Sequence, residues 1–142
     1  MDDRKIALLE TTFAEVRASQ DAAAALFYER LFVNDPSLRR LFTASDMSAQ
    51  GRKLMAALAL AVNSLRKLDA LVPVLEGLAV KHVTYGVERG HYETVGKALI
   101  ETLSLSFGER FTAEVRNAWT DTYQLVAGVM MRAAYEPEAV PA

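Results

Sequence analysis

Apolar residues recur along this chain at spacings of three and four positions, which is the spacing of one face of an α-helix. No segment shows the sustained alternation of apolar and polar residues that is typical of a strand. The pattern therefore predicts an all-α domain of seven or eight helices with short connections. The inward positions predicted for the first two helices are Ile6, Leu9, Phe13 and Val16, then Ala25, Leu26, Tyr28 and Phe32.

Polar residues with short side chains mark the predicted helix starts, because their oxygens can accept from the free N–H groups of a first turn. Pro36 is suited to the first position of a short helix after Asp35. We expect a long helix from Ser48 to about Lys67, and the end of a later helix at Gly108. The predicted N-caps are Asp2 or Asp3, Ser19, Asp35, Ser48, Asp69 and Thr112.

One predicted helix carries a histidine on its apolar face. The stripe consists of Leu71, Leu75, Leu78 and His82. Steps of four, three and four positions keep these side chains on a single face. A histidine in such a place is either a core residue that is hydrogen-bonded to a backbone carbonyl or a ligand of a large apolar cofactor. The spacing alone leaves both interpretations open.

Composition and charge narrow the class of protein. The 142 residues suit one domain, and the net charge of −2, from 16 basic and 18 acidic residues, gives no basic surface for nucleic acid. The longest apolar run, residues 54–62, is far shorter than the roughly 20 residues that span a bilayer. We expect a soluble cytoplasmic protein without nucleic-acid or membrane partners, folded over residues 1–135 and with a disordered tail at 136–142.

Few residues of this chain could hold a metal. The chain has two histidines, His82 and His91, and no cysteine, so a structural zinc site would have to recruit carboxylates. The two histidines and Glu88 could form a facial triad for iron. Gly86 and Gly90 would leave such ligands on a flexible turn, which argues against the triad. A haem supplies four nitrogens and needs one axial imidazole from the protein, a role for which His82 is suited.

Several segments resemble bacterial globins and flavohaemoglobins. They occur in the order of that family and together cover about residues 6–131. The segments that resemble the region around the axial histidine are Leu78-Ala79-Val80-Lys81-His82, Tyr85-Gly86-Val87, His91-Tyr92 and Val95-Gly96. Those that resemble the opposite, distal side are Phe27-Tyr28, Asp35-Pro36, Leu41-Phe42 and Gln50-Gly51-Arg52-Lys53-Leu54, while Ala118-Trp119 and Tyr123 resemble the last helix.

The resemblance implies a globin fold, which is a three-on-three helical sandwich around a pocket for haem b. It implies that His82 is the axial ligand of the haem iron and that Tyr92 lies behind the imidazole. Tyr28 and Gln50 would be the distal hydrogen-bond donors, which stabilise bound O₂ because the gas takes partial negative charge. Leu54 would line the gas site, Phe42, Val87, Val95 and Leu99 would pack on the haem, and Lys53 and Lys81 could reach its propionates.

One position departs from the pattern of flavohaemoglobins. In those proteins a carboxylate late in the final helix completes a cluster with the axial histidine and a tyrosine, which makes the imidazole more electron-donating. Alignment with that pattern puts Ala134 at the carboxylate position, with Glu136 close by. The departure argues against peroxidase-like activation of O₂.

The resemblance implies a protein that binds O₂ reversibly and with high affinity, for storage or transport, and that also binds CO and NO. The alternative is an NO dioxygenase, which oxidises NO to nitrate with O₂. The 142 residues contain no flavin or nicotinamide reductase domain, so we expect a separate reductase in that case. A gas sensor would need an output domain, and the joint presence of Tyr28, Gln50 and His82 argues against a haem-free interaction module. The sequence does not separate the first two functions, and it leaves a five- or six-coordinate resting iron open.

Overall fold

Helices account for nearly all of the regular structure in a computed structural model of the chain, which describes residues 2–43 and 45–135. Those residues form six α-helices and two short 3-10 segments, and they contain no strand. The α-helices are α1 (Asp3–Ala18), α2 (Gln20–Asn34), α3 (Met47–Asn63), α4 (Leu68–Thr84), α5 (His91–Phe107) and α6 (Ala113–Tyr135), and the 3-10 segments are Pro36–Phe42 and Gly108–Arg110. The predicted all-α class is confirmed. The predicted disordered tail, 136–142, lies outside the described residues.

Three of the predicted caps form as expected. Asp2 accepts from the backbone N–H of Lys5 at 2.8 Å and so caps α1. Asp35 accepts from the N–H of Ser37 at 3.1 Å, with Pro36 as the first residue of the 3-10 segment. Thr112, immediately before α6, accepts from the N–H of Val115 at 3.3 Å. Each cap satisfies a donor that the first turn of a helix leaves free.

Two predicted caps were each wrong by two positions. Asp46 caps α3, because its carboxylate accepts from the N–H groups of Ser48 and Ala49, so Ser48 lies inside the first turn. A carboxylate at this place also interacts favourably with the positive end of the helix dipole. Likewise α4 begins at Leu68, which puts Asp69 in its first turn instead of at its N-cap.

Two further predictions need correction. The long helix was expected to reach residue 67 but ends at Asn63, because the chain turns there and the N–H of Lys67 donates to the carbonyl of Ser64 at 2.9 Å. In α2 the predicted inward residue Ala25 is exposed. The buried face of this helix consists of Ala23, Ala24, Phe27, Tyr28 and Leu31. An alanine contributes little apolar area, so the larger side chains decide the rotation of the helix.

Consecutive helices α3 and α4 pack on different parts of the molecule. Helix α3 packs against α1 and α2, whereas α4 packs against α6. The buried side chains accordingly form two clusters, a large one built on α1, α2, α3, α5 and the first half of α6, and a small one between α4, the start of α5 and the end of α6. None of the helices in the described residues is both long and apolar enough to cross a bilayer.

The close approach of α2 and α3 depends on a glycine. A Cβ atom at Gly51 would lie 2.9 Å from the Cβ of Ala24, closer than side chains pack, and neither atom could rotate away. The absence of this Cβ allows the two helices to touch at their backbones. The same approach brings Gln50, the neighbour of Gly51, to Tyr28 of α2.

We expect Gly51→Ala to lower the free energy of unfolding. Overpacking of this kind costs about 1–3 kcal/mol, and the better helix propensity of alanine offsets at most about 1 kcal/mol of that cost. The matched control is Gly77→Ala in α4, where an added Cβ meets no atom within 4 Å and should stabilise the protein. Urea unfolding of both variants measures the difference. Equal stability of the two variants would contradict the close approach of α2 and α3.

Candidate functional site

The imidazole of His82 is held by its own helix. Its Nδ1 atom lies 2.7 Å from the carbonyl oxygen of Leu78, one turn earlier in α4, and the side chain is half-buried. A carbonyl oxygen only accepts hydrogen bonds, so Nδ1 carries the proton. In the neutral imidazole the second ring nitrogen, Nε2, then has the lone pair. This tautomer and orientation are those of a histidine that binds a metal through Nε2.

The turn after His82 closes the end of α4. The N–H groups of Tyr85 and Val87 both donate to the carbonyl of His82, at 3.1 and 3.0 Å. Gly86 makes this turn with a φ of 92°, a left-handed conformation that favours glycine. A Cβ atom there would lie 3.2 Å from Leu41, so the turn also lies against the 3-10 segment at residues 36–42.

Tyr28 and Gln50, the predicted distal pair, are brought together by the packing of α2 on α3. Tyr28 is only 7% exposed, and its hydroxyl is hydrogen-bonded to the side chain of Gln50. Burial raises the pKa of Tyr28, and the hydrogen bond with Gln50 opposes part of that rise. The phenol is therefore protonated at neutral pH. Phe42 packs edge-on against the Tyr28 ring, with 5.5 Å between ring centroids.

The predicted apolar wall residues divide between the two clusters. Leu99 is buried in the large cluster, on which Phe42, Leu54 and Val95 pack with part of their surfaces still exposed. Val87 is likewise half-buried but packs on the small cluster. Lys53 and Lys81, the predicted propionate contacts, are exposed on α3 and α4. The structure therefore keeps the predicted wall in two parts, with half-exposed apolar side chains on both.

Tyr92 has a buried hydroxyl without a hydrogen-bond partner among the described residues. Burial, and to a lesser degree the neighbouring phenol of Tyr135, raises the pKa of Tyr92 to about 12. The ring of Tyr135 packs edge-on against it at a centroid distance of 6.2 Å. Tyr92 was expected to lie behind the imidazole of His82. No hydrogen bond joins the two side chains in the described residues, because Nδ1 of His82 pairs with the carbonyl of Leu78 and the Tyr92 hydroxyl has no partner.

Two tyrosines of α6 have contacts that the sequence did not reveal. The hydroxyl of Tyr123 donates to the carbonyl of Tyr92 at 2.6 Å, and that of Tyr135 donates to the carbonyl of Val87 at 2.5 Å. In the sequence, the contact between Tyr123 and the carbonyl of Tyr92 is indicated only by Gly96. A Cβ there would lie 2.6 Å from the Tyr123 ring, so the glycine makes room for the tyrosine to pass between α5 and α6.

The remaining candidates are placed as follows. Ala134 is half-buried beside the small cluster, so a methyl group stands at the position where flavohaemoglobins were expected to have a carboxylate. Glu136 lies outside the described residues. His91 makes local contacts, because its Nδ1 accepts from the N–H of Glu88 at 2.9 Å and its Nε2 lies 3.7 Å from the Glu88 carboxylate.

Comparison with known proteins gives three findings. Residues 25–130 match the family model described as Globin. The chain is 33% identical over 138 residues to the Flavohemoprotein of Bordetella parapertussis, covering 94% of this chain and 34% of that protein, and 30% identical over 128 residues to the Flavohemoprotein of Vibrio cholerae, covering 89% and 32%. It thus spans about a third of the length of these relatives.

The third finding concerns the fold. A solved bacterial globin from Campylobacter jejuni superposes with a TM-score of 0.84 at 18% identity, over 95% of this chain and 97% of that one. The superposition confirms the predicted globin fold.

We expect Tyr92→Phe to leave the free energy of unfolding at pH 7 unchanged or to raise it by about 1 kcal/mol, because the change removes a buried hydroxyl that has no partner within residues 2–43 and 45–135. The matched control, Tyr123→Phe, removes a hydroxyl that is hydrogen-bonded and should cost about 1 kcal/mol. Urea unfolding distinguishes the two. A loss in Tyr92→Phe as large as that in Tyr123→Phe would mean that the Tyr92 hydroxyl has a partner.

The same variant has an alkaline signature. A tyrosine titrates at about 10 in the unfolded chain, and burial raises the pKa of Tyr92 in the folded protein to about 12. The unfolded chain therefore loses this proton first. Stability is complete below the lower pKa and falls as pH rises through the interval. Tyr92→Phe should reduce this alkaline fall, and an unchanged pH profile would contradict the burial of the phenol.

Proposed function

Because the chain belongs to the globin family, which its residues 25–130 match, we propose that it binds O₂ reversibly at a haem whose axial ligand is His82. Family membership implies the haem cofactor. When bound, haem b supplies an iron with four porphyrin nitrogens and, beyond one axial imidazole, a sixth position for a gas such as O₂, CO or NO. We place the haem-binding domain within residues 1–135.

The observation that carries the proposal is the hydrogen bond between His82 Nδ1 and the Leu78 carbonyl at 2.7 Å. In the neutral imidazole it makes Nε2 the nitrogen with the lone pair, and it restricts rotation of the ring. The carbonyl belongs to the same helix, so the imidazole is oriented before any cofactor binds. Local contacts account fully for His91, the other histidine of the chain.

The apolar surroundings also fit a haem. Phe42, Leu54 and Val95 on one side and Val87 on the other are large apolar side chains that the protein leaves partly exposed. A flat apolar group that covered these side chains would complete their burial, at roughly 25 cal/mol for each Å² removed from water.

Tyr28 and Gln50 are proposed as the distal donors. Tyr28 is protonated and buried, so its O–H can donate to a gas that takes partial negative charge. A hydrogen bond of this kind is stronger where water is excluded. Gln50 is half-exposed and bonded to Tyr28, so its main role is to orient the phenol, and its amide N–H is a second donor.

We expect His82→Ala to abolish the Soret band of the purified protein and added imidazole to restore it. The matched control is His91→Ala, which removes the other imidazole and should leave the absorption spectra of the oxidised, reduced and CO-bound forms unchanged. The two variants differ only in which histidine is lost. A His82→Ala protein that retains a normal haem spectrum without imidazole would rule out His82 as the axial ligand.

We expect Tyr28→Phe to speed the dissociation of O₂ by about 5-fold to 150-fold, since a lost donor of this kind costs about 1–3 kcal/mol. Stopped-flow measurement with CO as the competing ligand gives the rate. Tyr123→Phe serves as the control, because its hydroxyl donates to the Tyr92 carbonyl and its loss should leave the O₂ off-rate near that of the unmodified protein. Equal off-rates in all three proteins would remove Tyr28 from the gas site.

The second candidate function is NO dioxygenation with an electron donor outside residues 1–142. It is supported by the similarity to Flavohemoproteins, a name that refers to a flavin and a haem. This chain spans about a third of the length of those proteins. The half-buried Ala134 in place of the expected carboxylate favours reversible binding instead. NO consumption by the O₂-loaded protein, sustained over many turnovers by an added flavin reductase, would favour the enzyme. A single stoichiometric turnover would favour the O₂ binder.

A further inference from the structure

We propose that the groove between α5 and α6 is an interface at which a second copy of this chain binds. The groove is open to solvent and has a volume of about 910 Å³. Its two sides are residues 89–101, at the start of α5, and residues 116–131 of α6. The proposal concerns association of the chain with itself and does not depend on the role of His82.

The floor of the groove is apolar. Gly96 and Ala127 are buried there. Three larger side chains are half-buried and keep part of their apolar surface exposed, namely Ile100, Tyr123 and Met131. The Tyr123 ring can lie here because Gly96 has no Cβ, which would be 2.6 Å from it. A second copy that covered this floor would gain free energy in proportion to the apolar area removed from water.

The rim of the groove along α5 carries charges that alternate in sign. They follow one another at steps of four positions, as Arg89, Glu93, Lys97 and Glu101. Steps of four place side chains on one face of a helix, and Arg89 lies in the turn just before α5. On the α6 side Arg116 lines the groove, and its guanidinium packs over the ring of Phe111, 5.0 Å from the centroid. The alternation therefore belongs to α5.

The central pair of the rim is not used within the chain. Glu93 and Lys97 could form an ion pair across one helical turn, in the orientation that isolated helices favour. Both side chains are exposed, and neither forms an ion pair with any residue that the structure describes. Glu101, by contrast, is bonded to Arg30 and Asn34 of α2 at 3.3 and 2.6 Å. The central pair is therefore the part of the rim that is available to a partner.

The order of charges along the rim complements itself. If two copies meet antiparallel across a twofold axis near position 95, Glu93 of each copy lies opposite Lys97 of the other. The outer positions, Arg89 and Glu101, are then also opposite in sign. A parallel arrangement in register would instead bring like charges together, which disfavours association. The rim thus specifies one direction for the contact.

This property favours a second copy over other occupants of the groove. A symmetric contact places a surface against itself, so each charge must find its opposite within the same stripe. A small amphiphile with a single charge would meet both signs along the rim. An unrelated protein would not require the rim to match its own reverse. If the alternation served only to stabilise α5, its central pair would be expected to form within the chain.

The test uses two charge reversals of the full chain, measured separately and mixed. In sedimentation velocity from micromolar to millimolar concentrations, we expect the unmodified protein to form a two-chain species. Glu93→Lys and Lys97→Glu should each raise the dissociation constant about tenfold or more, because like charges then meet twice across the axis. An equimolar mixture of the two variants should restore the two-chain species, since one copy then carries two ammonium groups and the other two carboxylates.

The matched control is Lys67→Glu, which makes the same change of net charge on an exposed side chain outside the groove and should leave association unchanged. Both reversed positions are exposed, so the circular dichroism spectra should match that of the unmodified protein. Weak association of each variant alone with recovery in the mixture supports the interface. A chain that stays monomeric at every concentration would overturn it. So would variants that associate as tightly as the unmodified protein, or a mixture that associates no better than its components.

Discussion

Helix α6 is the element on which the arrangement of the site depends, because it packs against α1, α4 and α5. Its first half anchors the large cluster through Trp119, which is 2% exposed and donates its Nε1–H to Thr12 of α1 at 2.9 Å. Its second half supports α4, while Tyr123 at its middle and Tyr135 at its end donate to the carbonyls of Tyr92, in the first turn of α5, and of Val87, in the turn before α5. One helix thus sets where both walls of the proposed haem pocket lie.

The division of the interior into two clusters has a direct functional meaning. A protein of this length could bury its apolar side chains in one continuous core, yet α3 and α4 pack on different partners, and Phe42, Leu54 and Val87 stay half-exposed. Burial of those groups against a bound apolar cofactor would release free energy that folding of the chain alone does not gain. Under the proposed function, haem would therefore also contribute to folding, since a ligand that binds only the folded state stabilises it.

Polar groups in this interior are few, and nearly every one has a partner. The hydroxyl groups of Tyr123 and Tyr135 donate to carbonyls, Tyr28 meets Gln50, and Nδ1 of His82 meets Leu78. Tyr92 is the exception among these tyrosines, since its hydroxyl is buried and has no hydrogen-bond partner in the described part of the chain. A buried phenol without a partner costs free energy in the folded state, which is the usual mark of a position retained for a reason other than stability.

Local periodicity was sufficient for much of the fold. The stripes of α1 and α4 were predicted correctly, and so were the caps at Asp2, Asp35 and Thr112. Errors occurred where two nearby polar residues could both cap a helix, as with Asp46 and Ser48, and where small residues left the rotation of α2 undetermined. In both cases the choice depends on neighbours outside the helix, which periodicity does not describe.

The sequence by itself determined the helices, the apolar stripe that carries His82 and the bond of its Nδ1 to Leu78, because that bond spans one turn of one helix. Only the tertiary structure decided which hydroxyls meet which carbonyls. The contact between Tyr28 and Gln50 requires α2 and α3 to approach at Gly51, and the contact between Tyr135 and Val87 requires the end of α6 to reach the turn after α4. Such contacts join residues far apart in the chain, so they follow from how whole helices cross and not from the pattern within any one of them.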